Sequence, residues 1–330
     1  MNVKRKNVKT VLEIATHRLA AAGCDTSRLD AEVLLAHSLG NKDRTWLYVH
    51  ALEPLEANQI NTFEALLRRR EQREPVAYIV GHKEFFGLEF EVNSHVLIPR
   101  PETELLIEMA LRMANGEPAI PSEPKAPWWR AERNHPLGHV SNPRPSEGQS
   151  KIHARQRGSP KSKIVDVGTG SGCIAIALAK NLPNATFFAI DASPEALQLA
   201  QRNAKRHGVA DRIAFLQGNL LQPLTSPVDL IVTNPPYVSH PELAAASISP
   251  EVSQYEPRLA LDGGQDGLEV IRRLLPQAKA KLKPGGSLLV EIGSTQGQAV
   301  VQLAETYFPG ANIQVKKDLA GLDRLLVAEL

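Results

Sequence analysis

The chain has 330 residues, 42% of them hydrophobic, and a formal net charge of +2. This length and composition fit one large domain with a smaller one, and they exclude collagen-like, disulfide-rich and wholly disordered proteins. No apolar run approaches the roughly 20 residues that a membrane span needs, so we expect no membrane partner. The only cysteines are Cys24 and Cys173, which is typical of a reduced, cytoplasmic protein.

Residues 1–80 are expected to form a small helical domain. Apolar residues recur at helical spacing in 9–22 and in 27–40, and each pattern closes on a glycine. A third helical pattern, over 56–74, stops before Pro75. The region is too short and too polar to hold a cofactor by itself, so we interpret it as a substrate-recognition domain.

A β-hairpin linker is predicted over residues 81–100. The aromatic and β-branched residues of 84–98 alternate around Gly87, which is the pattern of two short antiparallel strands. A helix is expected to follow, because Pro101 and the acidic residues after it suit the first turn of a helix. Residues 101–330 then make up the larger domain.

The composition changes in residues 116–162, which hold eight Lys or Arg, four Asp or Glu and eight Pro. The absence of hydrophobic periodicity predicts a flexible insert, in which Trp128-Trp129 is the one strong apolar feature. The local charge of +4 leaves −2 for the rest of the chain. A body of that charge argues against a protein whose main partner is a nucleic acid.

Strands and helices alternate from residue 163 onward. Strand patterns lie within 163–170, 185–193, 212–220, 228–236 and 285–293, helical patterns within 173–182, 194–208, 267–282 and 298–307, and a closing hairpin within 312–330. This alternation predicts an α/β fold with a doubly wound, Rossmann-like parallel sheet and a C-terminal antiparallel hairpin. Ligands of such sheets bind beyond the carboxyl ends of the strands.

A glycine-rich turn connects the first strand of this sheet to its helix. It consists of Gly168, Thr169, Gly170, Ser171 and Gly172. Glycines allow the backbone to approach a ligand closely. The dinucleotide fingerprint would need Gly or Ala where this chain has Cys173, so the spacing favours S-adenosyl-L-methionine over a dinucleotide.

Asp191 follows the glycine turn at about the distance expected for an acid at the end of the second strand. Its carboxylate is predicted to accept both ribose hydroxyls of the cofactor. The alternative role is to cap the next helix, which Ser193 can also do. Together, the glycine turn and Asp191 predict a class I S-adenosylmethionine-dependent methyltransferase.

The fourth strand ends in the motif Asn234-Pro235-Pro236-Tyr237. The Asn234 side-chain oxygen and the Pro235 carbonyl are predicted to accept the N–H groups of a planar target nitrogen, while Tyr237 packs on its flat face. Proline fixes the direction of that carbonyl. Positioning of this kind needs neither a metal nor a covalent nucleophile, and the ten histidines show no ligand spacing. The alternative is a rigid turn after a strand.

The chain resembles a known family along nearly its whole length, the N5-glutamine methyltransferases of class 1 peptide chain release factors (the PrmC/HemK family). The resemblance is carried by SRLDAEVLLAHSLG (27–40), REPVAYIVGHKEFFGLEFEV (73–92), VLIPRPETE (96–104), VDVGTGSGCIAIALA (165–179), NPPYV (234–238), YEPRLALDGGQDGL (255–268) and LLVEIG (288–293). Of these, IPRPETE joined to the N-terminal helices is far more selective than NPPY.

The resemblance implies that S-adenosyl-L-methionine donates a methyl group to the side-chain amide of the glutamine in a Gly-Gly-Gln motif. The cofactor would be bound by Gly168–Gly172, Asp191 and Asn234, and the glutamine amide by Asn234–Tyr237. A segment containing Arg100, Glu102 and Glu104 would border the cofactor in a mainly structural role. The implied partner is a class 1 release factor, with no nucleic-acid requirement, and we expect a monomer.

Two features depart from the family. An acidic residue commonly lies near the adenine at the end of the third strand, where this chain has Asn219 and Leu220. Asn219 is expected to bind the adenine amino group through its side-chain oxygen, with weakened affinity. The second departure is the insert at 116–162, which long-loop closure entropy permits at little cost.

Three other functions remain open on the residues alone. NPPY is shared with adenine-N6 nucleic-acid methyltransferases and with ribosomal-protein glutamine methyltransferases. A non-catalytic binding module of the same fold is the third alternative, although it would not need an intact glycine turn, Asp191 and NPPY together.

Overall fold

The computed structural model describes residues 7–117, 162–245 and 248–330. The predicted flexible insert at 116–162 therefore lies almost entirely outside the described residues, as do Trp128 and Trp129. In the ranges that are described, no helix has the length and apolar character to cross a membrane.

The N-terminal region is helical. Its elements are α1 (Val8–Ala21), α2 (Ser27–Ser38), α3 (Arg44–Val49), α4 (Ala57–Glu71) and α5 (Val76–Val80). The apolar faces of these helices meet in one core that includes the fully buried Leu19, Leu34 and Phe63. Sequence reasoning missed α3 and α5, because helices of six and five residues are too short to show a period.

A short hairpin follows, formed by β1 (His82–Phe85) and β2 (Leu88–Glu91). The predicted hairpin extended over 84–98, but strand pairing ends at Glu91 because the chain there turns to meet the sheet domain. The side chain of Asn203 accepts from the Glu91 N–H at 2.8 Å and donates to the Glu91 carbonyl at 3.0 Å. A 3₁₀ turn (Pro101–Thr103) then leads into α6 (Glu104–Ala114).

A seven-stranded sheet forms the centre of the larger domain. Its strands are β3 (Lys163–Val167), β4 (Thr186–Asp191), β5 (Ile213–Gln217), β6 (Val228–Thr233), β7 (Leu282–Glu291), β8 (Asn312–Lys317) and β9 (Asp323–Glu329). The order is β5-β4-β3-β6-β7-β9-β8, in which β3 to β7 are parallel and β9 is antiparallel to both neighbours. The predicted fold class is confirmed.

Helices cover both faces of the sheet, and two short helices follow the carboxyl end of β6. The helices of this domain are α7 (Cys173–Asn181), α8 (Pro194–Arg206), α9 (His240–Ala244), α10 (Pro250–Tyr255), α11 (Glu269–Lys281) and α12 (Gly297–Tyr307). One buried cluster joins α6 and α7 to the sheet, and a second joins α11 and α12 to its other face. The strand order reverses beside β3, so β3, β4 and β6 open their carboxyl ends into one crevice.

Candidate active site

The glycine turn after β3 has the conformation that its sequence requires. Gly168, Gly170 and Gly172 all have positive φ, of 72°, 55° and 82°. The N–H groups of Gly168 and Thr169 both donate to the Ile190 carbonyl, at 2.8 and 2.9 Å, so the turn is fixed to the neighbouring strand. A Cβ would meet nothing within 4 Å at Gly170, so this part of the turn borders open space.

Two polar atoms beneath the turn lack hydrogen bonds in the part of the chain that the structure describes. They are Oδ1 of Asp166, whose residue is 1% exposed, and Oγ of Ser171, whose residue is 2% exposed. The other Asp166 oxygen accepts from the Thr169 hydroxyl at 2.6 Å. Burial raises the Asp166 pKa to about 7. Sequence reasoning missed Asp166, although an acid directly before a glycine turn was the available signal.

Asp191, at the end of β4, faces the glycine turn. Its two oxygens accept from the Gly170 and Ser193 N–H groups, at 2.8 and 2.9 Å. Ser193 itself caps α8, because its hydroxyl accepts from the Ala196 N–H at 3.1 Å. Burial raises the Asp191 pKa, and the hydrogen bonds from the backbone N–H groups oppose this shift. The capping role thus falls to Ser193, and the Asp191 carboxylate lines the crevice.

Asn219 lies after β5 on the same crevice, beside Arg273 of α11. The Arg273 Nη2 donates to the Asn219 Oδ1 at 2.8 Å. Since a guanidinium has only donors, the amide oxygen must face Arg273, and the amide Nδ2 is left for another partner. Leu220 adopts a positive φ of 53°, which is uncommon outside glycine.

These elements surround a cavity of about 750 Å³, which suits a nucleoside-sized ligand. Gly168–Ser171, Asp191, Asn219 and Asn234 all line it. The open space at Gly170, the hydroxyl of Ser171 and the carboxylate of Asp191 border this cavity and are compatible with S-adenosylmethionine, whereas Asp166 lies beneath the turn and does not line it. The contacts of these residues with the cofactor stay predictions. In the described ranges, no cluster of three or more His, Cys, Asp or Glu has a geometry that could hold a metal ion.

The NPPY turn follows β6 and is fixed from behind. The Gln296 Nε2 donates to the Tyr237 carbonyl at 2.9 Å, and the Val238 N–H donates to the Leu261 carbonyl at 3.0 Å. Pro235 is buried, and it lines neither of the two cavities described here. The contact of its carbonyl with a target N–H therefore stays a prediction.

A second cavity, of about 430 Å³, adjoins the first. Four residues line both cavities: Leu97, Arg100, Asn234 and Ala260. Tyr237 lines only the second, and Pro236 only the first. Asn234 therefore stands at the junction of the two spaces, where a group held in one would meet a group held in the other.

The IPRPETE segment contributes one charged residue to this junction. The Arg100 Nη2 donates to the buried Glu256 carboxylate at 2.5 Å, so Arg100 is held while it lines both cavities. Glu102 is exposed. Glu104 accepts from the Phe86 N–H at 3.2 Å and so supports the hairpin.

Comparisons with known protein families match the N-terminal helical region and the sheet domain separately. The description "PrmC N-terminal domain" matches residues 10–81, and "Methyltransferase small domain" matches residues 150–263. A "Release factor glutamine methyltransferase" of Geobacter sulfurreducens is 39% identical over 97% of this chain and 95% of its own length. A "Bifunctional methyltransferase" of Rickettsia felis is 37% identical over 97% of this chain, which spans 58% of that longer protein.

Among solved structures, a T. thermophilus 16S rRNA N2 G1207 methyltransferase in complex with AdoMet and guanosine is similar to 75% of this chain. The match covers 49% of that chain, with 17% identity and a TM-score of 0.44.

Proposed function

We infer the reaction from one premise: the chain belongs to the family of release factor glutamine methyltransferases. The enzyme transfers a methyl group from S-adenosyl-L-methionine to the side-chain amide nitrogen of a release-factor glutamine. We propose that this glutamine is the one in the Gly-Gly-Gln motif of a class 1 release factor. The cofactor supplies a methyl carbon bonded to a positively charged sulfur.

The larger cavity is proposed to hold the cofactor. Gly168–Gly172 offer backbone atoms at close range, and the free lone pairs of Asp191 accept the ribose hydroxyls. Asn219 lies at the adenine end, where its Nδ2 can donate to a ring nitrogen and its Oδ1 is shared with Arg273. Ser171 Oγ, on the wall of this cavity, is the polar partner that remains for the amino-acid end, and Asp166 fixes the turn from beneath through Thr169.

The smaller cavity is proposed to hold the glutamine side chain. The observation that carries this assignment is the position of Asn234, which lines both cavities and whose Nδ2 is already engaged by Thr103 at 3.1 Å. Its Oδ1 is therefore left to accept one N–H of the substrate amide, and the Pro235 carbonyl accepts the other. Tyr237 packs against the flat face of the amide.

Two fixed acceptors help a poor nucleophile. The lone pair of an amide nitrogen is delocalised, and acceptors placed for tetrahedral geometry stabilise the form that attacks the methyl carbon. Such preorganised dipoles need not reorganise during the reaction. Pro235 is restrained by its ring, and Tyr237 is anchored by Gln296, so the acceptors keep their positions between turnovers.

The assignment is tested by methyl transfer to a recombinant class 1 release factor. We expect the tryptic peptide that carries Gly-Gly-Gln to gain one methyl group on the glutamine, detected by mass spectrometry. A release factor with Gly-Gly-Glu in its place should remain unmodified. Transfer of labelled methyl only to DNA or RNA supplied in the same reaction would contradict the proposal.

A further inference from the structure

We propose that Arg100 binds the side-chain oxygen of the target glutamine and so decides which end of its amide faces the cofactor. This inference rests on the proposed function, because it takes the amide to lie beside Asn234, where the two cavities meet. It also gives a chemical reason for the occurrence of IPRPETE and YEPRLAL in one protein, since the arginine of the first segment is held by the glutamate of the second.

The target amide needs partners at both of its ends. Its nitrogen has two N–H donors, and its oxygen accepts hydrogen bonds. The proposed function gives the N–H groups to Asn234 Oδ1 and the Pro235 carbonyl, and it leaves the oxygen without a donor. An unpaired oxygen in a site that excludes water costs binding free energy. The two ends also have nearly the same size, so shape alone does not keep the nitrogen toward the methyl group.

The junction of the two cavities supplies a donor for that oxygen. The described residues that line both cavities are Leu97, Arg100, Asn234 and Ala260. Two of them have apolar side chains, and the Asn234 Nδ2 is engaged by Thr103 at 3.1 Å. A guanidinium has five N–H donors, and within the described ranges the Arg100 side chain uses only Nη2, toward Glu256. Of the four residues, Arg100 therefore has side-chain donors left for a ligand.

Arg100 is fixed at its backbone and at its guanidinium. It lies between Pro99 and Pro101, and a residue before proline is restricted to extended backbone. Arg100 accordingly has φ −101° and ψ 140°, and its carbonyl accepts from the Thr103 N–H at 3.1 Å. At the other end, its Nη2 donates to Glu256 Oε1 at 2.5 Å. A side chain held in this way loses little further freedom when a ligand binds.

Glu256 adjusts the charge of this donor. The side chain of Glu256 is 1% exposed and that of Arg100 is 31% exposed, so the carboxylate is buried while the guanidinium stays partly open. Burial raises the Glu256 pKa, and Arg100 opposes the shift. The ionised pair has no net charge, so it repels the positively charged sulfur of the cofactor less than a lone guanidinium would. It also suits a neutral carbonyl better than the cofactor's carboxylate, which favours the substrate as the ligand of Arg100.

Arg100→Lys is the first test. Lysine keeps a positive charge for Glu256 but lacks the planar fork that holds a carboxylate with one nitrogen and a second acceptor with another. We expect kcat/KM for release-factor methylation to fall about 10- to 100-fold, the worth of one hydrogen bond to a charged group. The Kd of S-adenosylhomocysteine should change less than about threefold, and Tm by less than about 2 °C. A loss of cofactor affinity as large as the loss of kcat/KM would instead assign Arg100 to the cofactor.

Arg202→Lys is the matched control. Arg202 forms an exposed ion pair with Glu91, at 2.7 Å, between α8 and the hairpin. Exposed pairs contribute little to stability, so the same chemical change there should leave kcat/KM, Kd and Tm unchanged.

A neutral pair separates substrate binding from a structural role. Arg100→Met combined with Glu256→Gln removes both charges, and a buried ion pair can often be replaced by neutral side chains without loss of stability. We expect this double variant to keep the Tm and the cofactor affinity of wild type, while its kcat/KM stays at least tenfold low, as expected for a missing charged donor. Recovery of kcat/KM in the double variant would show that the pair only supports the fold, and it would overturn the proposal.

A change in the substrate locates the contact. Binding is measured with S-adenosylhomocysteine present, for a release factor with Gly-Gly-Gln and for one with methionine in place of the glutamine. Methionine has a similar length but no carbonyl on its side chain. Arg100→Lys should weaken binding of the glutamine form at least about fivefold and that of the methionine form less than about twofold. Equal losses for the two forms would place the contact elsewhere on the release factor and overturn the proposal.

The same measurements distinguish this inference from the proposed function. A wild-type enzyme that leaves the release factor unmethylated would refute the proposed function. A wild-type enzyme that methylates it, with a kcat/KM that Arg100→Lys does not change, would refute only the role of Arg100.

Discussion

The carboxylate of Glu251 accepts two hydrogen bonds from Arg73, one from Nε and one from Nη2, at 2.7 Å each. Arg73 follows α4 of the N-terminal helices, whereas Glu251 belongs to α10, beside residues that line the smaller cavity. Arg70 donates a third hydrogen bond to Glu251, at 2.8 Å, and another to Asp30 at the same distance. The helical domain is thus joined by buried charge to the wall of the proposed substrate cavity.

We predict that Glu251→Gln raises the KM for the release factor several-fold with little change in kcat, because the wall of the substrate cavity loosens. Although burial opposes it, hydrogen bonding to Arg73 and Arg70 lowers the Glu251 pKa to about 2. The pair therefore stabilises the fold above pH ~4.5, and that stability is lost as the pH falls toward 2. Hydrogen exchange of α10 and steady-state kinetics measure the two effects.

Asp266→Asn is the control for that variant, since it removes an exposed ion pair with Arg272 on α11. It should leave KM and α10 exchange unchanged, as exposed pairs contribute little. An unchanged KM in Glu251→Gln would show that the junction between the domains plays no part in substrate binding.

Asn234→Ala should lower kcat at least 10³-fold and leave the Kd of S-adenosylhomocysteine within about threefold of wild type, because an acceptor aimed at the reacting group acts mainly in the transition state. Calorimetry and single-turnover methylation measure the two quantities. An equal loss in cofactor affinity would instead place Asn234 among the main cofactor contacts.

The two ends of the glycine turn should respond differently to alanine. At Gly172 a Cβ would lie 2.9 Å from Ile176 Cδ1 and 3.1 Å from Ala200 Cβ, so Gly172→Ala adds overpacking to backbone strain and should cost about 2–5 kcal/mol of stability. Gly170→Ala meets open space and should cost about 1–2 kcal/mol. Its main effect should be on cofactor affinity. Denaturant unfolding and calorimetry distinguish the two, and equal stabilities would contradict the packing argument.

Arg273 and Asn219 should act as one unit at the adenine end. We predict that Arg273→Ala and Asn219→Ala each weaken S-adenosylhomocysteine binding by about 3- to 10-fold, and that the double variant is no weaker than the worse single variant. Additive losses would show that each side chain contacts the cofactor separately. Lys279→Ala, on the exposed end of the same helix, serves as the control.

Asp166 should make stability fall as the pH rises. Its pKa is raised from 3.8 to about 7 by burial, so the native state binds one more proton than the unfolded state between those values. Stability is then lost through this window and becomes constant above it. Between pH 4 and 8 the free energy of unfolding should fall by on the order of 4 kcal/mol in the wild type. Asp166→Asn should remove this pH dependence. Urea unfolding at both pH values measures it, and parallel curves for the two proteins would refute the assignment.

Local sequence patterns were sufficient to predict the parts of the fold that depend on neighbouring residues. The strand and helix alternation, the glycine turn and the position of Asp191 each lie within one strand–turn–helix unit. The contact between Thr103 and Asn234 could not be predicted, because the two residues are 131 positions apart and neither pattern indicates the other. The short helices α9 and α10 were missed for the same reason as α3, since helices of five and six residues are too short to show a period.

The side-chain assignments show the same limit. Asn219 was expected to meet adenine through its oxygen, a choice that ignored Arg273 because 54 residues separate the pair. Arg100 was expected to be mainly structural, and the structure gives it an ion pair with Glu256 as well as a place on both cavities. The roles of the predicted site residues in binding and catalysis stay predictions until the variants are measured.

The position of Lys163 at the start of β3 has a consequence for engineering. Both cavities lie at the carboxyl ends of the strands, beyond Val167, Asp191 and Thr233. At the opposite edge, Ser162 accepts from the Thr186 N–H and Lys163 donates to Asp229 near the start of β6. A fluorescent reporter or affinity tag spliced directly before Ser162 would therefore join the protein on the side remote from both cavities, and it should follow the enzyme in cells without competing with its substrate.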